Sequence, residues 1–337
     1  MKDGLRRGMT IGLAALAVAT SMPSSAHGAP VEPVRIGILD MQASRIADSD
    51  SNVRIVHRTF LGDGDVVAGV RAPSGMDHGM VVATSAVRAV RALDRSVPIE
   101  IYSANTFRMS EDGRSYSMRY EKAMEALDWM HSKGVRVVVT SFNTKNMGGA
   151  VSLMNRAENL GMTVVAGASN VAGAGKVWPA ADARAISVAD TMPSRSSLTL
   201  DPTVQDWVKF GFRGDYADMS KGGVVEDWGS SYSSAKVGGV AAYYVSRNPQ
   251  AGRDEIEGSL RSVSRTQVQK YGRVKAVVAA IDAGGWEKRM RSLVTGTPLP
   301  GAGQALAAQT GSKGPRMAGI ADAMSQIPAV FTGSVGR

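Results

Sequence analysis

The side chains with the strongest claim to chemistry stand at the head of a run of small residues. It reads Trp228-Gly229-Ser230-Ser231-Tyr232-Ser233-Ser234-Ala235-Lys236-Val237-Gly238-Gly239-Val240-Ala241-Ala242-Tyr243-Tyr244-Val245-Ser246. A glycine turn and a cluster of serines lead into a segment where Gly238, Gly239, Ala241 and Ala242 leave almost no bulk. A helix that is small or apolar nearly all round belongs in a protein interior. Its N-terminus presents unpaired backbone N–H groups and the positive end of the macrodipole. A serine in that first turn sits where a developing oxyanion is stabilised. Serine is also a favoured N-cap, and Ser230 and Ser231 both suit that plainer duty.

Three further stretches carry polar residues at the ends of apolar runs. Asp40 closes Val34-Arg35-Ile36-Gly37-Ile38-Leu39, and Asn170 closes Val164-Val165-Ala166-Gly167-Ala168-Ser169. His78 opens Asp77-His78-Gly79-Met80-Val81-Val82-Ala83, just after a turn containing Pro73 and Gly75. Imidazole serves as base, ligand or packing group, so His78 alone reads equally well as a residue capping a helix. His27 falls at a cleavage site, His57 in a predicted strand and His131 at the end of an amphipathic helix. None of these three is a candidate for chemistry.

The elements that must position these groups alternate in type. Short apolar runs at Val34–Leu39, Val53–His57, Ile99–Tyr102, Val135–Thr140, Met162–Gly167 and Ala185–Ala189 read as strands. Helical spacing over His78–Leu93, Met118–Ser132 and Met147–Leu160 separates them. This alternation predicts βαβ units: a three-layer α/β/α fold with a mostly parallel central sheet covered on both faces. In such sheets functional groups gather at the carboxyl ends of the strands, and Asp40 is at one of those ends.

Composition narrows the classes. The chain has 337 residues, 44% hydrophobic and 20% charged, enough for a large core. Its net charge of +9 is scattered, without the dense basic runs or interleaved aromatics of a nucleic-acid surface. There is no cysteine, which excludes disulfides, a thiol nucleophile and thiolate metal sites. Residues 1–28 read as a signal peptide, with Lys2, Arg6 and Arg7 before an apolar stretch from Met9 to Thr20, then small residues around Ala26. The expectation is export, to the periplasm or beyond the cell, with no membrane insertion after cleavage. Residues 29–290 are expected to form the main domain, and 291–337 a Gly/Pro-rich extension.

Two motifs fail on inspection. Gly173-Ala174-Gly175-Lys176 lacks the first glycine and the Ser or Thr of a phosphate loop, since Asn170 and Val177 stand there. Asp48-Ser49-Asp50-Ser51-Asn52 begins like a calcium loop, but Val53 takes the place of its glycine. A solvated acidic turn is the expectation there. A structural calcium ion stays open at this turn or near Asp63 and Asp65; no catalytic metal or other cofactor is expected.

The order aspartate, histidine, serine along the chain is that of the subtilisins, and over roughly residues 34–265 the sequence resembles the subtilisin-like serine protease (subtilase) family. Val34–Asp40 resembles the strand that ends in the family's catalytic aspartate. His78-Gly79-Met80-Val81-Val82-Ala83 is similar to its His-Gly-Thr-x-Val-Ala signature, and Val164–Asn170 to its Val-Val-Ala-Ala-Ala-Gly-Asn segment. Trp178-Pro179-Ala180 matches the Tyr-Pro-Ala that follows, and Asn248-Pro249 also fits. Gly229-Ser230-Ser231-Tyr232-Ser233-Ser234 resembles Gly-Thr-Ser-Met-Ala-Ser. The departures are Met80 for threonine, Thr84 for glycine, Ala235-Lys236 for Pro-His, Gly238-Gly239 for Ala-Gly, and Ser141-Phe142-Asn143 for the substrate-binding Ser-Leu-Gly.

The resemblance implies acyl transfer from a polypeptide substrate. Ser231 is then the nucleophile, His78 its base, and Asp40 the group that orients His78. Asn170 and the Ser231 backbone N–H become the oxyanion donors, and Ser141, Phe142 and Asn143 the substrate-binding segment. Two alternatives stand beside the endopeptidase: a catalytically inactive binding or scaffold protein, and another acyl-transfer activity on the same triad.

Overall fold

The computed structural model describes residues 32–41, 43–62, 77–109, 116–144, 147–170, 175–191, 207–218, 224–271, 274–281 and 284–297. The expected signal peptide, Asp63 and Asp65, Gly173 and Ala174, and the extension beyond residue 297 lie outside the described residues.

The elements, in chain order, are β1 (Val34–Asp40), β2 (Val53–Thr59), α1 (His78–Leu93), β3 (Ile99–Asn105), β4 (Phe107–Met109), β5 (Tyr116–Met118) and α2 (Tyr120–Ser132). There follow β6 (Val137–Thr140), α3 (Met147–Asn159), β7 (Thr163–Gly167), β8 (Ile186–Asp190), β9 (Phe210–Phe212), β10 (Asp215–Asp218) and β11 (Val224–Trp228). The chain continues through α4 (Ser230–Arg247), α5 (Arg253–Val263), β12 (Arg265–Tyr271), β13 (Val274–Ala280) and α6 (Trp286–Thr295).

Nine strands form the main sheet in the order β12-β13-β9-β8-β7-β6-β1-β3-β2. Every neighbouring pair is parallel except β12–β13, an antiparallel edge. Side chains alternate between two cores, as a pleated strand requires. Ile36, Ile38, Val137, Val139 and Val165 face a core shared with α1, α4, α5 and α6. Leu39, Val138, Val164 and Ala166 face a second core shared with α2 and α3. Burial on both faces is why these strands read as continuous apolar runs. The three-layer fold with its mostly parallel sheet is the architecture expected from the alternation.

Helix α4 lies at the centre of the first core, and its small residues are a packing requirement. A Cβ on Gly239 would stand 2.4 Å from the Ala86 carbonyl oxygen of α1, and one on Gly238 would stand 2.2 Å from Val139 Cγ2 of β6. The replacement of Ala-Gly by Gly238-Gly239 thus lets α4 approach α1 and the sheet at once.

Three boundaries differ from the sequence reading. Helix α2 starts at Tyr120 because Met118 belongs to the β4–β5 hairpin. Strand β3 runs on to Asn105, so its polar end joins the rim beside Asp40. Residue 290, the expected domain boundary, lies inside α6, whose buried Trp286 and Met290 join the first core.

Candidate active site

The parallel register brings the carboxyl ends of β1, β3, β6 and β7 to one rim, with Asp40 beside Asn105 and Leu39 beside Thr140. Asp40 is buried there, and its Oδ1 accepts a hydrogen bond from the Met41 backbone N–H at 2.7 Å. The same oxygen lies 2.8 Å from Nδ1 of His78, the first residue of α1. A carboxylate only accepts, so Nδ1 carries the hydrogen in this pair. In the neutral ring that tautomer leaves the lone pair on Nε2, the atom a base uses.

Ser231 is the second residue of α4 and is buried at the same rim. Two long hydrogen bonds join it to the end of β6: Ser231 Oγ donates to the Ser141 carbonyl at 3.5 Å, and Ser141 Oγ donates to the Ser231 carbonyl at 3.4 Å. Among the described residues the Ser231 N–H has no acceptor, whereas the next two amides, of Tyr232 and Ser233, close onto the Gly229 carbonyl at 3.1 and 3.2 Å. The remaining first-turn amide, Ser230 N–H, donates to Asn170 Oδ1 at 2.8 Å. That bond assigns the Asn170 amide, so the donor Nδ2 belongs to its other edge. Gly229 makes room for it, since a Cβ there would stand 2.7 Å from Nδ2.

A cleft of about 570 Å³ runs across this rim and is lined by Asp40, His78, Ser141, Phe142, Asn143, Asn170 and Ser231, all seven residues singled out from the sequence. Its remaining wall is mixed, with Met41, Phe107, Met118 and Tyr120 beside Ser117, Thr144 and Ser169. Phe142 meets Phe107 edge to face at a 5.4 Å centroid separation and Tyr120 at 6.5 Å. Burial raises the Tyr120 phenol above its ordinary range, partly offset by a hydrogen bond with Thr144. Thr144 is tied by two backbone hydrogen bonds of 3.0 Å to Trp178, whose peptide bond to Pro179 is cis. The Ser141–Asn143 segment is therefore held between Ser231 on one side and Trp178 on the other.

Several residues that departed from the family pattern have structural work. Thr84 Oγ1 donates to the Met80 carbonyl at 2.7 Å and accepts the Ala47 N–H at 2.9 Å, pinning the segment after Asp40 onto α1. Lys236 Nζ donates to the carbonyls of Arg213 and Asp215 at 2.8 Å each and pairs with Asp215 Oδ1 at 3.0 Å. It thereby fixes the loop entering β10 beneath the head of α4. Tyr232 places its ring 5.9 Å from that of His78, a contact the sequence reading did not consider. The sequence held no signal for it, because the two residues are remote along the chain.

The acidic turn after β1 is occupied by arginines. Asp48 takes two hydrogen bonds from Arg88 at 2.6 and 2.7 Å, and Asp50 takes two from Arg91 at 2.6 and 3.2 Å. The Arg91 bond holds the Asp50 carboxyl below its usual range against the opposing effect of burial. The turn expected to be solvated is thus ion-paired to α1. Among the described residues no cluster of three or more His, Asp or Glu side chains is placed to bind a metal, and no helix is long and apolar enough to cross a membrane.

Against known proteins, no curated protein matches the chain. The model of the Subtilase family matches residues 47–279, that is 233 of the 337 residues. His78, Asn170 and Ser231 fall inside the matched segment, and Asp40 lies just before it. With a match over that span and a parallel three-layer architecture, this chain belongs to the subtilase family of serine proteases.

Proposed function

We propose that this subtilase is an exported serine endopeptidase that works through Asp40, His78 and Ser231. Ser231 Oγ attacks the scissile carbonyl as His78 Nε2 takes its proton. Asp40 holds the ring in the required tautomer and stabilises the imidazolium. The tetrahedral oxyanion is received by Asn170 Nδ2 and the Ser231 N–H at the positive end of α4. His78 then returns the proton to the leaving amine, the acyl-enzyme forms, and water releases it by the same steps in reverse order. The Ser141-Phe142-Asn143 segment would bind the polypeptide, a role supported by its place in the lining of the same cleft. Nucleophile, base and oxyanion donors are all side chains or backbone, so the reading calls for no cofactor. The basic and apolar N-terminal pattern supports export, to the periplasm or beyond.

The observation that carries the reading is the 2.8 Å His78–Asp40 pair on the same cleft as a first-turn serine whose own N–H has no acceptor among the described residues. One observation favours a second reading, a non-catalytic binding protein on the same fold. The Ser231 hydroxyl donates to the Ser141 carbonyl at 3.5 Å, and attack requires it to turn toward His78. Catalytic hydrogen bonds are commonly loose before substrate arrives, so the endopeptidase reading takes precedence. Peptide-library cleavage by the mature protein tests it. Cleavage is expected to fall by at least about a thousandfold in Ser231→Ala, given what triad removal costs. Equal turnover by the two proteins would sink the reading, and binding of peptides without cleavage by either would favour the second.

A further inference from the structure

We infer that the segment Arg213-Gly214-Asp215 is a strut that positions the nucleophile and that Lys236, which clamps it, is a positioning residue; the inference rests on the reading of Ser231 as that nucleophile. Close packing at Gly238 and Gly239 seats α4 against β6 and α1 near its middle. At about 1.5 Å per residue, those contacts lie roughly 10 to 12 Å along the axis from Ser231. A helix seated at its middle is least constrained at its ends. Misplacement of a reacting group by about 1 Å can cost on the order of a hundredfold in rate, so the head of α4 needs a hold of its own.

The head is held from two sides. Toward β7, Asn170 Oδ1 accepts the Ser230 N–H at 2.8 Å. On the other side, the Gly229 N–H donates to the Gly214 carbonyl at 3.0 Å, two residues before Ser231. The backbones meet there so closely that a Cβ on Gly214 would overlap the Gly229 carbonyl oxygen. Gly214 is tied in turn to the sheet, because its own N–H donates at 2.9 Å to Oδ1 of Asp190 at the end of β8. Lys236 completes the strut. From five residues past Ser231 on α4, its Nζ donates to the Arg213 and Asp215 carbonyls at 2.8 Å each, on either side of Gly214. The Arg213 carbonyl and the Gly214 N–H belong to one peptide unit, which is thus held at both edges, by Lys236 and by Asp190. The next unit carries the carbonyl that receives Gly229. The strut therefore runs from β8 to the head of α4, and the carbonyl bonds of Lys236 keep it against the helix. Supporting shells of this kind hold a reacting group to within a fraction of an ångström.

The test uses the full chain in three forms: wild type, Lys236→Met and Asp215→Asn. Two readouts are needed: hydrogen exchange of the Gly229 amide, followed by NMR, and the kcat and KM for a peptide substrate. Methionine keeps the length and the apolar stem of lysine but donates no hydrogen bond. In Lys236→Met the Gly229 amide should exchange about tenfold faster, and kcat should fall about tenfold with KM unchanged. Asp215→Asn removes the ion pair with Lys236 and leaves both carbonyl bonds in place, so it should lose less by either readout. Unchanged exchange and undiminished kcat in Lys236→Met would overturn the inference, as would a rise in KM in place of the fall in kcat. Equal losses in the two variants would overturn it too, since the ion pair and not the carbonyl clamp would then carry the effect. Exchange at Gly229 reports on the strut whether or not the protein turns over. If the wild type proves inactive, the proposed function fails while the exchange rates still decide whether Lys236 holds the head of α4. Should Lys236→Met not fold, Ser233→Ala removes the hydroxyl that joins the Phe212 and Gly229 carbonyls at the foot of the strut. The same faster exchange is expected there, and an unchanged rate would count against the strut.

Discussion

On the proposed reading Asn170 has two duties that demand a single orientation of its amide. Its Oδ1 accepts the Ser230 N–H, and this leaves Nδ2 as the group available to an oxyanion. Asn170→Ala is expected to lower kcat by about 10² to 10³ with little change in KM, since the donor acts mainly in the transition state. The same change should also cost about 1 kcal/mol of stability, visible as a lower Tm, because the Ser230 N–H loses its acceptor. Asp40→Asn probes the other end of the site. An amide that donates where the carboxylate accepted favours the wrong imidazole tautomer, and turnover should fall by roughly 10⁴. A loss below tenfold in single-turnover measurements would mean that Asp40 does not orient His78. At this scale the sequence revealed the identities of the polar residues and their order. It did not reveal what replaces lost family residues. Lys236 was visible only as the absence of a histidine, and Thr84 only as the absence of a glycine. Their roles depend on the carbonyls of Arg213 and Asp215 and the N–H of Ala47, which no spacing rule locates.

At the scale of elements, α4 sets the tolerance of the whole site. Its close approach to α1 depends on Gly239, where an added Cβ would press on a backbone oxygen with no freedom to move aside. Gly239→Ala is therefore expected to destabilise by about 1 to 3 kcal/mol, the usual penalty for overpacking, with Tm falling accordingly. An unchanged Tm would show that the two helices separate at no cost. The bounds of α1 were legible to the residue, because Asp77-His78 begins a long run of regular apolar spacing that stops before the turn residues 94–96. Strands β9 to β13 and helices α5 and α6 were missed for different reasons. Phe210-Gly211-Phe212 is too short to show a period. β12 and β13 mix charged and apolar residues as an antiparallel edge can. Helix α6 is short and flanked by Gly284, Gly285 and Gly296, and it straddles the boundary expected at residue 290, although its buried Trp286 packs edge to face on Phe212 at 5.5 Å.

For the whole molecule, charge and burial predict how stability responds to acid. Burial holds the imidazole of His57 below its ordinary value of 6.5. The unfolded chain then binds that proton more readily, so stability should begin to decline as pH falls below about 6.5 and be undisturbed by this group above it. Asp50 and Glu257 respond lower on the scale. Arg91 hydrogen bonding holds Asp50 down; for Glu257, burial acts upward but is outweighed by hydrogen bonds from Lys209 and Arg261. Their stabilisation is present above the ordinary values of 3.8 and 4.5 and is lost as pH drops through the lower folded ones. Tm against pH should therefore show a shallow fall below about 6.5 that His57→Gln removes, then a steeper one below about 4 that it does not.

The layered fold was legible because parallel strands buried on both faces spell themselves out as apolar runs, whereas the convergence of Asp40, His78, Asn170 and Ser231 on one cleft is a property of the register. The proposed nucleophilic role of Ser231 is tested most directly by treating the protein with a fluorophosphonate and mapping the adduct by mass spectrometry. A single adduct on Ser231, absent from Ser231→Ala and slowed in Asp40→Asn, is the expected result. Absence of labelling in the folded wild type, or an adduct on any other residue, would contradict it.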